Sequence, residues 1–149
     1  MSQLLHLAAP EDLDRVTSMV ERFHGEAGID SDAEHRETAV RPLLDGSPLG
    51  AIWLIGPRMA PVGYVCVSFG WSLELGGMDG FIDELWIRPK VRGRGMGSDA
   101  LAALQGTLHE VGVRALHLEV ARTNAGAERI YKRAGFHERP SNLMTWHPG

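Results

Sequence analysis

The apolar residues among the first fifty positions predict one strand and two helices. A short apolar run at 4–9 predicts a strand, and Pro10 then opens a predicted helix. Its apolar stripe recurs at helical spacing and consists of Leu13, Val16, Val20 and Phe23. Ser31 follows a polar break, and we expect it to be the N-cap of a second helix. The stripe of that helix is Ala39, Val40, Leu43 and Leu44.

The middle of the chain is typical of strands. Apolar runs at 51–55 and 62–69 are joined through "GPRMAP", which predicts a hairpin. The polar stretch "WSLELGGMDG" indicates a second connection, and "FIDELWI" (81–87) predicts a third strand that ends before Pro89.

Helical spacing returns in the last third. Four residues form a stripe that Gly112 closes: Leu101, Leu104, Leu108 and Val111. "ALHLEVA" (115–121) predicts a strand, and Asn124 is expected to cap a helix that stops at Gly135. A last strand is predicted over 137–146, at an edge of the sheet because it contains Pro140.

This order of elements predicts an α/β (α+β) fold in one domain over 1–149. The early strands join by hairpin, whereas the later ones join through helices, which requires parallel crossovers. We therefore expect a mixed sheet with helices packed against it.

Composition narrows the functional classes. The net charge of −4 does not favour nucleic-acid binding, and a single cysteine excludes an internal disulfide framework and a cysteine-based zinc site. The first residues lack the features of a signal peptide, and no apolar run reaches the length of a membrane span. We expect a cytoplasmic protein with no membrane or nucleic-acid partner and no metal.

Candidate chemistry begins with "VRGRGMGS" (91–98), which lies between a predicted strand and a predicted helix. A helix N-terminus carries unpaired N–H groups, and glycines let several of them turn toward one centre. With Arg92 and Arg94, the stretch predicts a phosphate or pyrophosphate site, although an ordinary glycine turn would have the same composition. It is neither a P-loop nor the dinucleotide fingerprint, because the lysine and the spacing are missing.

Two motifs together resemble the GNAT superfamily of N-acetyltransferases. The pattern Arg92-x-x-Gly95-x-Gly97 after "ELWIRP" resembles that family's acetyl-CoA loop. The stretch "LHLEVARTNAGAERIYKRAGF" (116–136) resembles its second signature, a strand, an Asn, a helix with a Tyr and a closing Gly-Phe. The resemblance covers 50–137 and implies a partly splayed central sheet with acetyl-CoA as co-substrate.

The resemblance also implies which residues bind the cofactor. The pantetheine arm would pair with the backbone of Leu85, Trp86 and Ile87, and Asn124 would help to hold it. The pyrophosphate would lie on Arg92, Gly93, Arg94, Gly95, Met96, Gly97 and Ser98.

Acetyl transfer to an amine requires a base, stabilisation of the tetrahedral intermediate and an acid for the departing thiolate. The resemblance makes Tyr131 the acid, although a tyrosine there would also pack on an apolar helix face. Glu84, Glu119 and Asp83 compete for the base, and each would also suit a salt bridge. Strand alternation groups Glu84 with Ile82 and Trp86, and Asp83 with Phe81 and Leu85.

The leading interpretation is acetylation of a polyamine-like small amine by direct attack in a ternary complex, because Cys66 lacks an evident partnering base. Alternatives are a peptide N-terminus or lysine as acceptor, a non-catalytic acyl-CoA-binding module, or a nucleotide-phosphate binder. His24 and His35 are further candidates to line the acceptor site. A homodimer is also expected from the resemblance.

Overall fold

The computed structural model describes residues 3–149 and contains one five-stranded mixed sheet. Its strands are β1 (Leu5–Leu7), β2 (Gly50–Ile55), β3 (Gly63–Ser72), β4 (Gly77–Ile87) and β5 (Leu116–His117). Its helices are α1 (Leu13–Ala27), α2 (Ala33–Leu44), α3 (Met96–Glu110) and α4 (Ala125–Arg133). The strand order is β1-β2-β3-β4-β5, antiparallel up to β4 and parallel between β4 and β5. The predicted mixed sheet flanked by helices is confirmed.

Each face of the sheet has its own apolar cluster. Val16 and Val20 of α1 pack with Tyr64 and Trp86 on one face. On the other, α3 supplies three leucines that pack with strand residues of opposite alternation. The members at the centre of this second cluster are Leu101, Leu104, Leu108, Val65, Val67 and Ile82.

A β-bulge in β4 changes the alternation expected from the sequence. Cys66 lies opposite Glu84 and Val67 lies opposite Ile82, so Asp83 is an extra residue. Glu84 and Trp86 stay on the α1 side, whereas Ile82 belongs to the α3 cluster. The predicted grouping of Ile82 with Glu84 was therefore wrong, because the bulge inverts the register at Asp83.

Several element boundaries differ from prediction. Most of "WSLELGGMDG" belongs to the β3–β4 hairpin rather than to a loop. A short 3₁₀ turn at Pro10–Asp12 precedes α1. The N-cap of α2 is Asp32, whose Oδ1 accepts the His35 N–H at 2.8 Å, and the Ser31 hydroxyl contacts His24 instead.

The two last predicted strands are the largest corrections. The strand expected over 115–121 is only Leu116–His117, because the bulge bends β4 away just after its last paired residue, Phe81. No strand forms over 137–146, where Pro140 lacks the N–H that a ladder requires. Across residues 3–149, no helix is long and apolar enough to cross a membrane.

Candidate active site

The second half of β4 presents an open backbone edge. The Arg88 N–H donates to Val62 O at 2.7 Å, and Trp86 lies opposite Tyr64, so both face β3. Alternate residues point the other way, which directs the backbone groups of Leu85 and Ile87 toward the β5 side. Within the described chain, the β4–β5 ladder ends at Phe81. Of the three strand residues expected to bind pantetheine, Trp86 thus faces away from this edge.

The glycine loop leads from that edge into α3. A 3₁₀ turn at Pro89–Val91 is followed by Gly93 and Gly95, whose φ angles of 79° and 81° lie in the left-handed region. Gly95 is the N-cap of α3, so the first-turn N–H groups begin directly after it. Arg94 is exposed in the loop, whereas Met96, Gly97 and Ser98 are half-buried in the first turn. This geometry suits an anion.

Arg92 is bound differently from the other loop residues. Its Nε donates to Ile87 O at 2.7 Å, and a second nitrogen contacts Glu26 at 2.6 Å. Glu26 also accepts the Trp86 indole N–H at 2.9 Å, and the hydrogen bonds from Arg92 and Trp86 lower the pKa of its carboxyl. Arg92 therefore connects the loop to the last turns of α1.

Glu84 is the centre of a hydrogen-bonded cluster on the α1 side. Its Oε2 lies 2.7 Å from His24 Nε2, and its Oε1 accepts the Tyr64 hydroxyl at 2.7 Å. The Glu84 side chain is 19% exposed and that of His24 is 12% exposed. Burial and the Glu84 charge raise the pKa of Tyr64, so this phenol remains a donor.

Tyr64 is the residue of this cluster that the sequence did not indicate. It lies in an apolar strand and reads as a core residue, although a buried phenol requires a polar partner. That requirement was the available signal, but the partner became identifiable only with the register between β3 and β4.

Asp83 and Cys66 flank Glu84 on β4 and β3. Partial burial and the adjacent Glu84 raise the pKa of Asp83. Burial, followed by the two carboxylates, raises the pKa of Cys66 to about 12. The thiol is therefore protonated at neutral pH, which makes it a poor nucleophile.

The other predicted residues lie with α4. Asn124 caps this helix, its Oδ1 accepting the Ala127 N–H at 3.2 Å. The Tyr131 ring packs edge-on against Phe136 with 6.1 Å between centroids, and burial raises the pKa of its phenol. Tyr131 joins the same apolar cluster as Leu85 and Ile87.

Glu119 is exposed beyond the end of β5, not within a buried strand as expected. With Tyr131 it lines a cavity of about 890 Å³ between α3, β5, α4 and 136–143. Glu84 lies on the α1 side of the sheet, so the structure does not bring these two glutamates together. Over residues 3–149, no three His, Cys, Asp or Glu side chains are grouped to hold a metal.

Comparison with known proteins identifies this arrangement. The model of the acetyltransferase (GNAT) family matches residues 13–136. The chain belongs to the GNAT acetyltransferase family. It is therefore an acetyl-CoA-dependent N-acetyltransferase, as the loop and the second motif predicted. No protein of curated function matches its sequence.

Solved structures have the same GNAT fold. An integron cassette protein from the Cole Harbour salt marsh metagenome is 32% identical, with a TM-score of 0.86 over 98% of this chain and 91% of that chain. A Clostridium acetobutylicum protein solved with acetyl-CoA is 18% identical, with a TM-score of 0.76 over 95% and 94%. An aminoglycoside acetyltransferase from an uncultured soil metagenomic sample, solved with sisomicin, is 13% identical, with a TM-score of 0.78 over 97% and 94%. Because the last two proteins are less than 25% identical to this chain, the comparison with them shows a shared fold alone.

Proposed function

We propose that this GNAT domain transfers acetyl from acetyl-CoA to a primary amine of a small, polyamine-like molecule. One observation carries the proposal: a carboxylate held by two hydrogen-bonding partners is adjacent in sequence to an open backbone edge. Glu84 is bound by His24 and Tyr64, and Leu85, the next residue, directs its backbone to the β5 side of β4. Base and acyl donor would thus meet at one point of the strand.

Acetyl-CoA would bind along the edge and the loop. The pantetheine amides would pair with the backbone of Leu85 and with the Ile87 N–H, as a further strand does in β-augmentation, while Ile87 O accepts from Arg92. The pyrophosphate would accept from N–H groups at the start of α3, where Gly95 leaves the backbone accessible. Arg94 and Ser98 are the nearest polar side chains of the loop, and Asn124 at the start of α4 would approach the arm.

The proposed reaction uses three groups. Glu84 takes a proton from the ammonium form of the acceptor, and the neutral nitrogen attacks the thioester carbonyl. The Leu85 N–H donates to the carbonyl oxygen as negative charge develops on it. The C–S bond then breaks, and the Tyr131 phenol gives its proton to the departing sulfur. The nitrogen loses its second proton, which restores the Tyr131 phenol, and Glu84 releases its proton to water.

Among the carboxylates, Glu84 has the most suitable surroundings for the base. Both of its oxygens have hydrogen-bonding partners, which orient the group. Asp83 is next to it and more exposed, and it adds negative charge that attracts a cationic acceptor. Glu119, exposed beyond β5, ranks third.

An acetyl-CoA turnover screen tests this proposal. The acceptors are spermidine and putrescine, aminoglycosides, free amino acids, and peptides with a free N-terminus or lysine. We expect CoA release with the small polyamines first, since a compact cation suits the Glu84–Asp83 pair. Turnover with peptides alone would contradict the acceptor class, and CoA binding without any turnover would contradict the enzymatic function.

A further inference from the structure

Four side chains form a continuous hydrogen-bonded chain that ends at Glu84. One Arg36 nitrogen donates to the Ser31 carbonyl oxygen and also lies 3.2 Å from Ser31 Oγ. Ser31 Oγ lies 2.7 Å from His24 Nδ1. His24 Nε2 in turn lies 2.7 Å from Glu84 Oε2. The acid–base reaction proposed above uses only the last of these four residues.

The direction of this chain follows from its two end members. Arg36 only donates and an ionised Glu84 carboxylate only accepts, so Ser31 Oγ accepts from Arg36 and His24 Nε2 carries a proton toward Glu84. In the neutral imidazole, the Ser31 proton is then directed to His24 Nδ1. The Nδ1 atom is then an acceptor, and the proton of the neutral imidazole is on Nε2. His24 consequently donates to Glu84. The Tyr64 hydroxyl donates to the other oxygen, so Glu84 is surrounded by donors, as a carboxylate requires.

We propose that His24 is the positioning residue of the base, with Ser31 selecting its tautomer, so that the Glu84 carboxylate is held in one orientation toward the acceptor amine. This inference rests on the proposed role of Glu84. It makes the loop between α1 and α2 part of the acid–base apparatus, because Ser31 lies in that loop.

Every charged or titratable group around the cluster bears on its pH dependence. Asp83 on β4 adds negative charge, and Tyr64 and Cys66 on β3 are protonated at neutral pH. Arg36 on α2 lies 3.7 Å from Glu21 of α1, which offsets part of its charge. Among the described residues, His24 and Tyr64 are the two side chains that hydrogen-bond to Glu84, one to each carboxylate oxygen.

Variants of His24 separate positioning from packing. His24→Phe keeps a ring of similar size but removes the donor, whereas His24→Gln keeps an N–H donor. We expect His24→Phe to move the acidic limb of the kcat/KM profile to higher pH. At pH values on the acidic side of that limb, kcat/KM should fall by up to about 100-fold. His24→Gln should recover most of the loss, and the Kd of acetyl-CoA should stay unchanged in both. Equal profiles for wild type and His24→Phe would overturn the inference.

The tautomer can be read without any assay of activity. Nitrogen-15 NMR of the imidazole should show a protonated Nε2 and an unprotonated Nδ1 at about pH 8, above the ordinary pKa of histidine. In Ser31→Ala this preference should weaken. A protonated Nδ1 in the wild type would contradict the proposed direction of the chain.

The variant Glu84→Gln distinguishes the two levels of the proposal. If it leaves the acidic limb in place, Glu84 is not the base and both proposals fail. If Glu84→Gln abolishes the limb while His24→Phe does not shift it, the base assignment stands and the His24 inference alone fails.

Discussion

At the scale of single residues, Glu84 depends on partners from distant parts of the chain. His24 comes from 60 positions away and Tyr64 from 20. The sequence placed Glu84 among the candidates because it lies in the strand before the glycine loop, where strand alternation lets either Glu84 or Asp83 face the cleft. It did not provide the partners, because hairpin register and helix packing decide which side chains meet.

Replacing each carboxylate by its amide should identify the base. We expect Glu84→Gln to lower kcat/KM by roughly 10²–10⁴, the usual contribution of general acid–base catalysis, and to flatten the acidic limb. Glu119→Gln is the matched control and should stay near wild type, because its carboxylate is exposed beyond β5. The measurement is kcat/KM against pH for the three proteins. A flattened limb in Glu119→Gln alone would transfer the role to that residue.

Tyr131→Phe removes one oxygen and leaves the ring packed on Phe136. If the phenol protonates the thiolate, kcat should fall by roughly 10²–10⁴ while the Kd of acetyl-CoA stays nearly constant. Burial raises the pKa of this phenol, so it remains an acid throughout the neutral range. If Tyr131 is the acid, the basic limb of the wild type should lie above the usual tyrosine range, and the variant should change it. If Tyr131→Phe keeps the wild-type kcat in an assay where chemistry limits the rate, Tyr131 has no catalytic role and serves only in packing.

Asp83 should reduce stability once it ionises. Its folded pKa is raised by partial burial and by Glu84, so the folded state holds the proton more tightly than the unfolded chain. Below about pH 4 both states are protonated and the effect is absent; the loss grows as the pH rises and is complete above the folded pKa. The difference between the Tm of Asp83→Asn and the Tm of the wild type should therefore increase from pH 3 to pH 7. Asp30→Asn, at an exposed carboxylate, is the control; a constant gap for Asp83→Asn would contradict this account.

At the scale of elements, periodicity predicted most helices and strands, whereas tertiary geometry decided their extents. The α1 stripe and the Asn124 cap formed as predicted, because spacing and capping are local properties. In α3, Leu101, Leu104 and Leu108 are buried as predicted, but the helix ends at Glu110 and the predicted stripe residue Val111 is exposed. The bulge at Asp83 and the shortness of β5 depend on how neighbouring strands fit together. Likewise, the sequence predicts Arg92 as a phosphate ligand because of its charge and its place in the glycine loop. Its contact with Glu26 could not be predicted, because that contact depends on where α1 packs.

Two glycines at opposite ends of α3 provide a matched test of the loop. Gly95 and Gly112 have φ angles of 81° and 91°, and neither has another group near its Cβ direction. A valine at either site should cost at least ~1–2 kcal/mol, the penalty of the left-handed conformation. We expect Gly95→Val and Gly112→Val to lower the Tm similarly, and only Gly95→Val to lose affinity for CoA. Equal CoA affinity in the two variants, by calorimetry, would remove the anion role of the loop.

At the scale of the whole molecule, the sheet has a closed half and an open half. β1 to β4 are joined by antiparallel ladders, whereas β4 and β5 share two residue pairs. The family motifs predicted this splayed geometry, since both lie beside the opening. The homodimer and the single domain over 1–149 stay predictions, because the geometry of the site tests neither of them.

The open half of β4 should also affect self-association of the protein in solution. Unpaired N–H and C=O groups along a strand are a template for pairing with another chain, and proteins usually cover such edges. Arg92 covers Ile87 O, and the backbone groups of Leu85 and the Ile87 N–H would be covered by the pantetheine arm, so the enzyme should self-associate more readily without CoA. Light scattering at the same protein concentration should fall when CoA is added, and bare pyrophosphate should not reproduce that fall. If scattering is indifferent to CoA, the edge is shielded in solution by the protein itself, and storage with cofactor brings no benefit.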